Sequence, residues 1–489
     1  MKTERVIVIG GGIAGLFAAK VLSEFYQEVV IVDKDAFPDQ PENRPGTPQA
    51  FQPHRLTPRG SLILERLFPG YIDDLLKYGA APTLGKTTHL INPYGTMVMP
   101  GQNKDAVYSR ALLEWVLRER IRTIAQIRFL GLNEVIQLLS TEDRSAITGV
   151  ELMERSSGER KQHTIMADLV LDTSGRFSKM SNWLTELGYD VPKAETLKIS
   201  LGYSTRRYRI PSDRTGELNV IRMEGDPVKA STTGVLSLIE NNTVEMVIWN
   251  LGSRYPSINP EQFEQEVAQL ASPLFAVALQ GLEPLGNPRG YRVEELSRQH
   301  YEQMHRWPAG LLVMGDAFCQ LDPVFGQGMT IAAIEAEALE TSLRNQLNQP
   351  EPDFELRFLQ QMQDNIEAAW WLNAVADLRW PGVEYPGEEP IKGLKFAQKY
   401  MDFVLKQSTE QANYEIYGLY WLVNSLFLSP SELFNSQMIT SLLTAGGSEE
   451  DKQWFDEWVR ESDQPLEERL NQHFPSFENA SFASMDQLM

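Results

Sequence analysis

Residues 4–33 impose a strand–turn–helix–strand unit on this chain. The run RVIVIG is short, apolar and unbroken, as a strand buried on both faces must be, and it stops at GGGIAG (10–15). The segment IAGLFAAKVL has helical spacing, and EVVIVD is a second buried strand that ends at Asp33. The G-x-G-x-x-G spacing at Gly10, Gly12 and Gly15 gives each glycine a mechanical task. Gly10 permits a tight turn, Gly12 lets a pyrophosphate approach the backbone, and Gly15 lets the helix pack closely on the strand. The helix start at Ile13 and Ala14 offers unpartnered N–H groups and roughly half a positive charge to phosphates. Asp33, followed by Lys34, stands about 20 residues on, where a ribose hydroxyl needs an acid. In this setting the motif reads as a dinucleotide site; the alternative is a tight strand–helix turn with no ligand.

The 489 residues suffice for two or three domains. Residues 34–60 carry prolines at 38, 41, 45, 48, 53 and 58 and cannot be regular structure, so the segment is expected to be a functional or mobile loop. SRALLEWVLRERIRTI (109–124) reads as a helix capped by Ser109. Short strands follow at IRFLG, EVIQLL and ITGVELMER, then a turn at SSGE, then ADLVLDTSGR, which halts at Asp172 and Gly175. Residues 196–251 alternate apolar and polar, as an antiparallel sheet covered on one face does. Residues 261–282 read as helix. GLLVMGDA returns to a buried strand and a helix follows from 328. From 351 onward the pattern is helical, and the acidic tail from Glu449 is expected to be loosely held. The expected fold is α/β (α+β overall). A Rossmann-like, discontinuous cofactor domain spans 1–195 and 285–348, an inserted antiparallel-sheet substrate domain spans 196–284, and a helical region spans 349–489.

A net charge of -21 argues against a nucleic-acid groove and against attraction to anionic lipid. The one cysteine, Cys319, permits no internal disulfide, which fits a cytoplasmic location. The six histidines are scattered without metal-ligand spacing, so no metal is expected. The start MKTERVIVIG lacks the pattern of a secretory leader. No stretch reaches the length of a spanning helix. YGLYWLVNSLFLSP (417–430) reads first as a buried helix or pocket wall, and second as a contact with a membrane surface or an apolar ligand.

Residues 314–329, MGDAFCQLDPVFGQGM, set a carboxylate, a proline and bare backbone between a buried strand and a helix. That suits either a site built from backbone N–H groups or an ordinary turn. Only one dinucleotide fingerprint precedes it, at the far end of the chain, which suits a long dinucleotide such as FAD better than NAD. With GGGIAG and Asp33, DLVLDTSGR (168–176) and GDAFCQLDPVFGQGM in that order, the sequence resembles the group A flavoprotein monooxygenases, the superfamily of para-hydroxybenzoate hydroxylase and squalene epoxidase. The likeness covers residues 1–190 and 285–345. GTPQAFQPHRL and WLTELGY are most similar to bacterial epoxidase-like members of natural-product pathways.

The resemblance implies FAD as cofactor and O2 as co-substrate, with oxygen transferred through a flavin hydroperoxide to a bulky apolar small molecule by epoxidation or hydroxylation. It assigns Arg44 to a loop near the flavin phosphates and Arg110 to the helix beside the cofactor. Asp172 and Gly175 fall in the middle motif. Gly315 and Asp316 fall at the ribityl chain. Pro323, Gly326, Gln327, Gly328 and Met329 form the loop under the flavin ring. Tyr203, Tyr208, Trp249, Phe318 and Phe325 are aromatic candidates for the substrate pocket, against plain core packing for each. His54, the histidine nearest a cofactor motif, reads as a loop hydrogen-bonder rather than a base, and no catalytic residue is assigned. The chain departs from the family pattern in having Asp33 where Glu is common. It also has D-T-S-G-R where many hydroxylases end in D-G, so the electron donor is NAD(P)H taken directly or through a separate flavin reductase. Two other classes stay open: an FAD-dependent dehydrogenase or reductase of the geranylgeranyl reductase type, and a non-enzymatic flavin-binding sensor or carrier. The W-x-W-x-I-P segment of flavin halogenases is absent.

Overall fold

The computed structural model describes residues 3–155, 161–214 and 218–488, so the SSGE turn expected at 156–159 lies outside the described residues. The chain divides into two compact units. One comprises Met1–Tyr78, Ser109–Thr196 and Leu296–Ile366, the other Gly79–Tyr108, Leu197–Glu295 and Glu367–Met489.

Among the described residues, the first unit is built on a five-stranded parallel sheet. Its order is Leu311–Val313, Leu169–Asp172, Thr3–Ile9, Tyr26–Val32, Ile127–Leu130. Val6, Ile7, Val8, Val29, Val30 and Ile31 are all fully buried, which is why these strands read as unbroken apolar runs rather than alternating ones. Helices Ile13–Leu22, Pro58–Leu67, Arg110–Arg122 and Gly328–Asn348 belong to the same unit. Ser109 caps the third of these, its hydroxyl oxygen accepting the Leu112 N–H at 3.1 Å. That helix also pins the proline-rich loop: the Trp115 indole N–H donates to the Asp39 carbonyl at 3.0 Å and the Arg118 guanidinium to the Pro38 carbonyl at 2.7 Å. The loop is irregular apart from a 3-10 turn at Pro48–Phe51, yet it is fastened, and it ends sooner than expected because Pro58 stands in the first turn of helix Pro58–Leu67, where a proline is tolerated.

The second unit contains the expected antiparallel sheet and more. The strand order is Arg289–Arg298, Glu195–Arg209, Thr243–Asn250, Thr233–Ile239, Val220–Met223, Thr87–Asn92, Gly95–Pro100. The last two form a hairpin joined to the rest by a parallel pairing, Arg222 opposite Leu90. Residues 79–108 therefore belong with this sheet and not with the cofactor domain. The helical region from 367 belongs with it too. A pairing across some 130 residues of chain leaves no local mark in the sequence. One face of the sheet carries Ile221, Met223, Leu236, Val244, Met246 and Ile248, packed with Phe263 and Val267 of helix Pro260–Ala268 and Phe275 of helix Leu274–Leu279. The helix expected over 261–282 is thus two helices, broken ahead of Pro273, whose ring cannot continue the first.

The tail is better held than its charge suggested. Helix Glu449–Arg460 opens on a capping box between Ser448 and Asp451, and helix Leu466–His473 follows. Trp454 and Trp458, one turn apart, bring their rings to 5.0 and 4.5 Å from Phe396. Trp371 sits among Phe434, Phe474 and Phe477 at 5.2, 5.8 and 5.6 Å, and its indole N–H donates to the Lys392 carbonyl at 2.8 Å. Of the segment 417–430, residues up to 424 lie in helix Tyr414–Asn424, with Tyr417 and Val423 buried and Tyr414 and Trp421 exposed, and Leu426, Phe427 and Leu428 are buried just beyond it. Among the described residues no helix is long and apolar enough to cross a membrane. Trp371→Ala is expected to cost about 3–5 kcal/mol, because it empties a buried site with three aromatic walls. Urea denaturation checks this, and a loss below roughly 1 kcal/mol contradicts it.

Candidate cofactor site

The two glycine-bearing corners meet. Gly315 adopts a left-handed backbone (φ +65°), and a Cβ built on it would lie 2.9 Å from the Cβ of Ala14, in the first turn of the first helix. Three parallel strands bring this about: Thr3–Ile9 feeds GGGIAG, its neighbour Leu169–Asp172 feeds the middle motif, and the next strand, Leu311–Val313, feeds Gly315-Asp316. All three motifs leave the same end of adjoining strands, where ligands of open parallel sheets bind.

The glycines divide into those that pack and those that face open space. A Cβ on Gly10 (φ +100°) would lie 2.6 Å from the Thr173 carbonyl oxygen, and one on Gly15 would lie 2.0 Å from the Gly10 carbonyl oxygen. Thr173 fastens this corner, its hydroxyl donating toward the Ile9 and Gly10 carbonyls at 2.9 and 3.0 Å. By contrast, a Cβ on Gly12, Gly175 or Gly328 would meet nothing within 4 Å. Gly12 is the N-cap of helix Ile13–Leu22 and Gly328 opens helix Gly328–Asn348, so both leave unpartnered helix N–H groups beside free space. This bare-backbone cradle is what a dinucleotide's phosphates and a flavin's carbonyl edge require.

Asp33 is buried and already engaged. Its Oδ2 accepts the Gly11 N–H at 2.8 Å and the Arg44 guanidinium at 2.9 Å, and its Oδ1 accepts the Asp35 N–H at 2.9 Å. Of about four acceptor positions on a carboxylate, one is left for a ribose hydroxyl. Arg44 is itself gripped by Glu114 at 2.7 Å and lies 3.5 Å from Asp35. Burial works against its charge, but Glu114 and Asp33 outweigh burial and raise its pKa. Glu114 also faces Arg110 at 3.5 Å and Arg118 at 3.7 Å. Burial lowers the pKa of both these arginines, that of Arg118 to about 10. Three arginines and three acids form one buried set, in which Asp35 and Glu114 had no sequence assignment. The signal for Glu114 was its place one turn after Arg110 and one turn before Arg118. Lys34 is exposed beside this set.

Asp172 points inward: it is fully buried, accepting the Ser174 N–H at 2.9 Å and the Ser178 hydroxyl at 2.5 Å. Burial raises its pKa against those two bonds. Its role is to shape the turn that presents Gly175 (φ +84°). Asp316 has an exposed side chain, yet surrounding protein raises its pKa against the pull of Arg110 and Arg176. In the following loop Asp322 accepts the Val324 N–H at 2.8 Å, capping the 3-10 turn that starts at Pro323, and Gly326 ends that turn at φ +68°. Gln327 and Met329 are buried at the helix start. His54 holds its Nδ1 2.8 Å from the Gln52 carbonyl, and burial, with Arg110 adding, pushes its pKa down to about 4. The ring is therefore neutral at neutral pH, with Nδ1 donating and Nε2 an acceptor.

The aromatic candidates do not form one group. Phe318 is fully buried beside Tyr301, in the core of the first unit, while Phe325 is half-buried in the 323–325 turn. In the second unit Tyr203 and Trp249 are cross-strand partners with ring centroids 6.2 Å apart. Tyr208 is packed in the hydrophobic core of that unit and donates its hydroxyl to Glu264 at 2.6 Å. Its side chain is thus committed to the core and not to a pocket with the other two.

No family model matches this sequence. It is 28% identical over 392 residues to Protein Rv3254 of Mycobacterium tuberculosis, covering 77% of this chain and 80% of that protein. Among solved structures it is similar to a flavoprotein/dehydrogenase from Cytophaga hutchinsonii (TM-score 0.62, 16% identity, 88% of this chain and 95% of that one). It is also similar to the flavin-dependent brominase Bmp2 (TM-score 0.60, 14% identity, 94% and 99%) and to p-nitrophenol 4-monooxygenase PnpA from Pseudomonas putida DLL-E4 (TM-score 0.58, 16% identity, 86% and 98%). These likenesses establish the fold.

If Gly12 faces ligand and Gly15 faces protein, the two respond differently to one methyl group. Gly12→Ala, at φ −79°, is expected to keep the melting temperature and to weaken FAD binding at least about tenfold. Gly15→Ala is expected to lose roughly 1–3 kcal/mol of stability. Calorimetry and flavin-fluorescence titration check the pair; equal effects from both would contradict the assignment.

Proposed function

With the fold of the FAD-dependent monooxygenases as its premise, we propose that this chain is an FAD-dependent monooxygenase, an epoxidase or hydroxylase acting on a bulky apolar small molecule. One observation carries the reading: Gly315 abuts Ala14, so the motif that starts the chain and the motif some 300 residues later line one cradle of open backbone.

The bound flavin supplies the redox and oxygen-activating chemistry. The chain's residues bind, orient and balance charge. Gly12 and the N–H groups of Ile13 and Ala14 would receive the diphosphate, and the remaining acceptor position of Asp33 would receive a ribose hydroxyl. Asp316 would accept from a hydroxyl of the ribityl chain. The N-terminus of helix Gly328–Asn348 would stabilise negative charge on the ring through its dipole and unpartnered N–H groups. Neutral His54 offers an acceptor at Nε2. Tyr203 and Trp249 are retained as substrate-contacting aromatics, whereas Tyr208 and Phe318 are not. The electron donor is NAD(P)H, used directly or through a flavin reductase.

A dehydrogenase is the second reading, since a flavoprotein/dehydrogenase shares the fold. The two part on the fate of oxygen. Purified protein loaded with FAD, reduced anaerobically and mixed with isotopically heavy O2 and a panel of polycyclic phenols and terpenoid alkenes is expected to give a product carrying one heavy oxygen atom. Reoxidation without label in any product, together with desaturation or reduction of a panel member, would establish the dehydrogenase instead. A protein that takes up no FAD would refute both.

A further inference from the structure

Glu335 lies two turns into helix Gly328–Asn348 and is fully buried. Its Oε2 accepts the Gly315 N–H at 2.7 Å, while its Oε1 has no hydrogen-bond partner among the described residues. It therefore holds the backbone at the point where the two motifs touch. A carboxylate this deep, with one donor and one bare oxygen, cannot keep its charge unless a cation stands near. Among the described residues the packed elements bring none. Lys20 of helix Ile13–Leu22 pairs with Glu24 at 2.9 Å. On helix Pro58–Leu67, Arg59 pairs with Glu337, Arg66 pairs with Glu340 at 2.6 Å, and Glu65 accepts the Gly70 N–H at 2.6 Å. The titratable group that acts on Glu335 is Asp316, and Glu335 in turn raises the buried thiol of Cys319.

We propose that Glu335 is a positioning residue that enters the fold as a neutral acid, fixes the Gly315-Asp316 turn against the first helix, and on ionising loosens that turn and weakens capture of the flavin. The flavin half rests on the function proposed above; the protonation half does not. Burial raises the Glu335 carboxyl, the Gly315 N–H draws it back, and Asp316 raises it again, to about 8. The folded value exceeds the ordinary 4.5, so the folded protein holds one proton more than the unfolded chain between the two. Stability from this group is therefore fully present below the lower value, falls as pH rises through the interval, and levels off above the upper one.

Glu335→Gln removes the titration while keeping the shape. Melting temperatures of the FAD-free proteins from about pH 5 to pH 9 are expected to show the variant gaining on the wild type by several degrees up to about pH 8, then running parallel. A constant offset over the whole range would overturn the proposal. Should the glutamine variant fail to fold, Glu335→Leu serves, with the same pH trend expected on a lower baseline. In flavin-fluorescence titrations the wild-type dissociation constant is expected to rise severalfold from about pH 7 to pH 9 and that of the variant to stay flat. Equal pH dependence in both would overturn the flavin half. If the wild type binds no FAD at all, the cofactor reading fails and the melting curves alone decide the protonation.

Discussion

Backbone lies against backbone at Gly10 and Gly15 and against the Ala14 methyl at Gly315, and everything else in the first unit depends on that closeness. The hypothetical Cβ distances of 2.6, 2.0 and 2.9 Å leave no room for a side chain at any of the three. The approach of the first helix to its strand is set there, and so is the approach of the Gly315 turn to that helix. Both turns end parallel strands of one sheet, so they lie at the same edge of it. The site is a property of the sheet's edge more than of any single motif.

Charge is handled differently at the two ends of this site. At the end near Asp33, three arginines and three acids balance within a buried set, so Arg44 anchors its loop to Glu114 and Asp33. A bound diphosphate would then be left to uncharged backbone donors and the helix dipole. At the other end two carboxyls lie close to one another, Asp316 exposed and Glu335 buried, and neither forms an ion pair among the described residues. Two like groups in a poorly solvated place favour the neutral form of the deeper one.

Much of this was legible because the physics is local. Gly10 and Gly15 sit at the tight turn and the close helix–strand approach that their spacing assigned, Gly12 faces open space, and Ser109 caps its helix as its position suggested. What escaped was non-local. Asp33 reads as a free ribose acceptor until Arg44 and Asp35 arrive from the loop beyond. The hairpin at 87–100 finds its partner strand far along the chain. Tyr208 alternates like Tyr203, but a register position five residues on puts it among the core of the sheet. The tail's acidity masked the spacing of Trp454 and Trp458, which is what docks it.

The central claim is that one FAD molecule is gripped jointly by the corner at Gly10–Gly15 and the corner at Gly315–Gly328. Hydrogen–deuterium exchange with and without FAD tests it directly. Slowed exchange is expected in peptides covering both corners, with the same dependence on FAD concentration. Protection of one corner alone, or of neither while the flavin is bound, would contradict it.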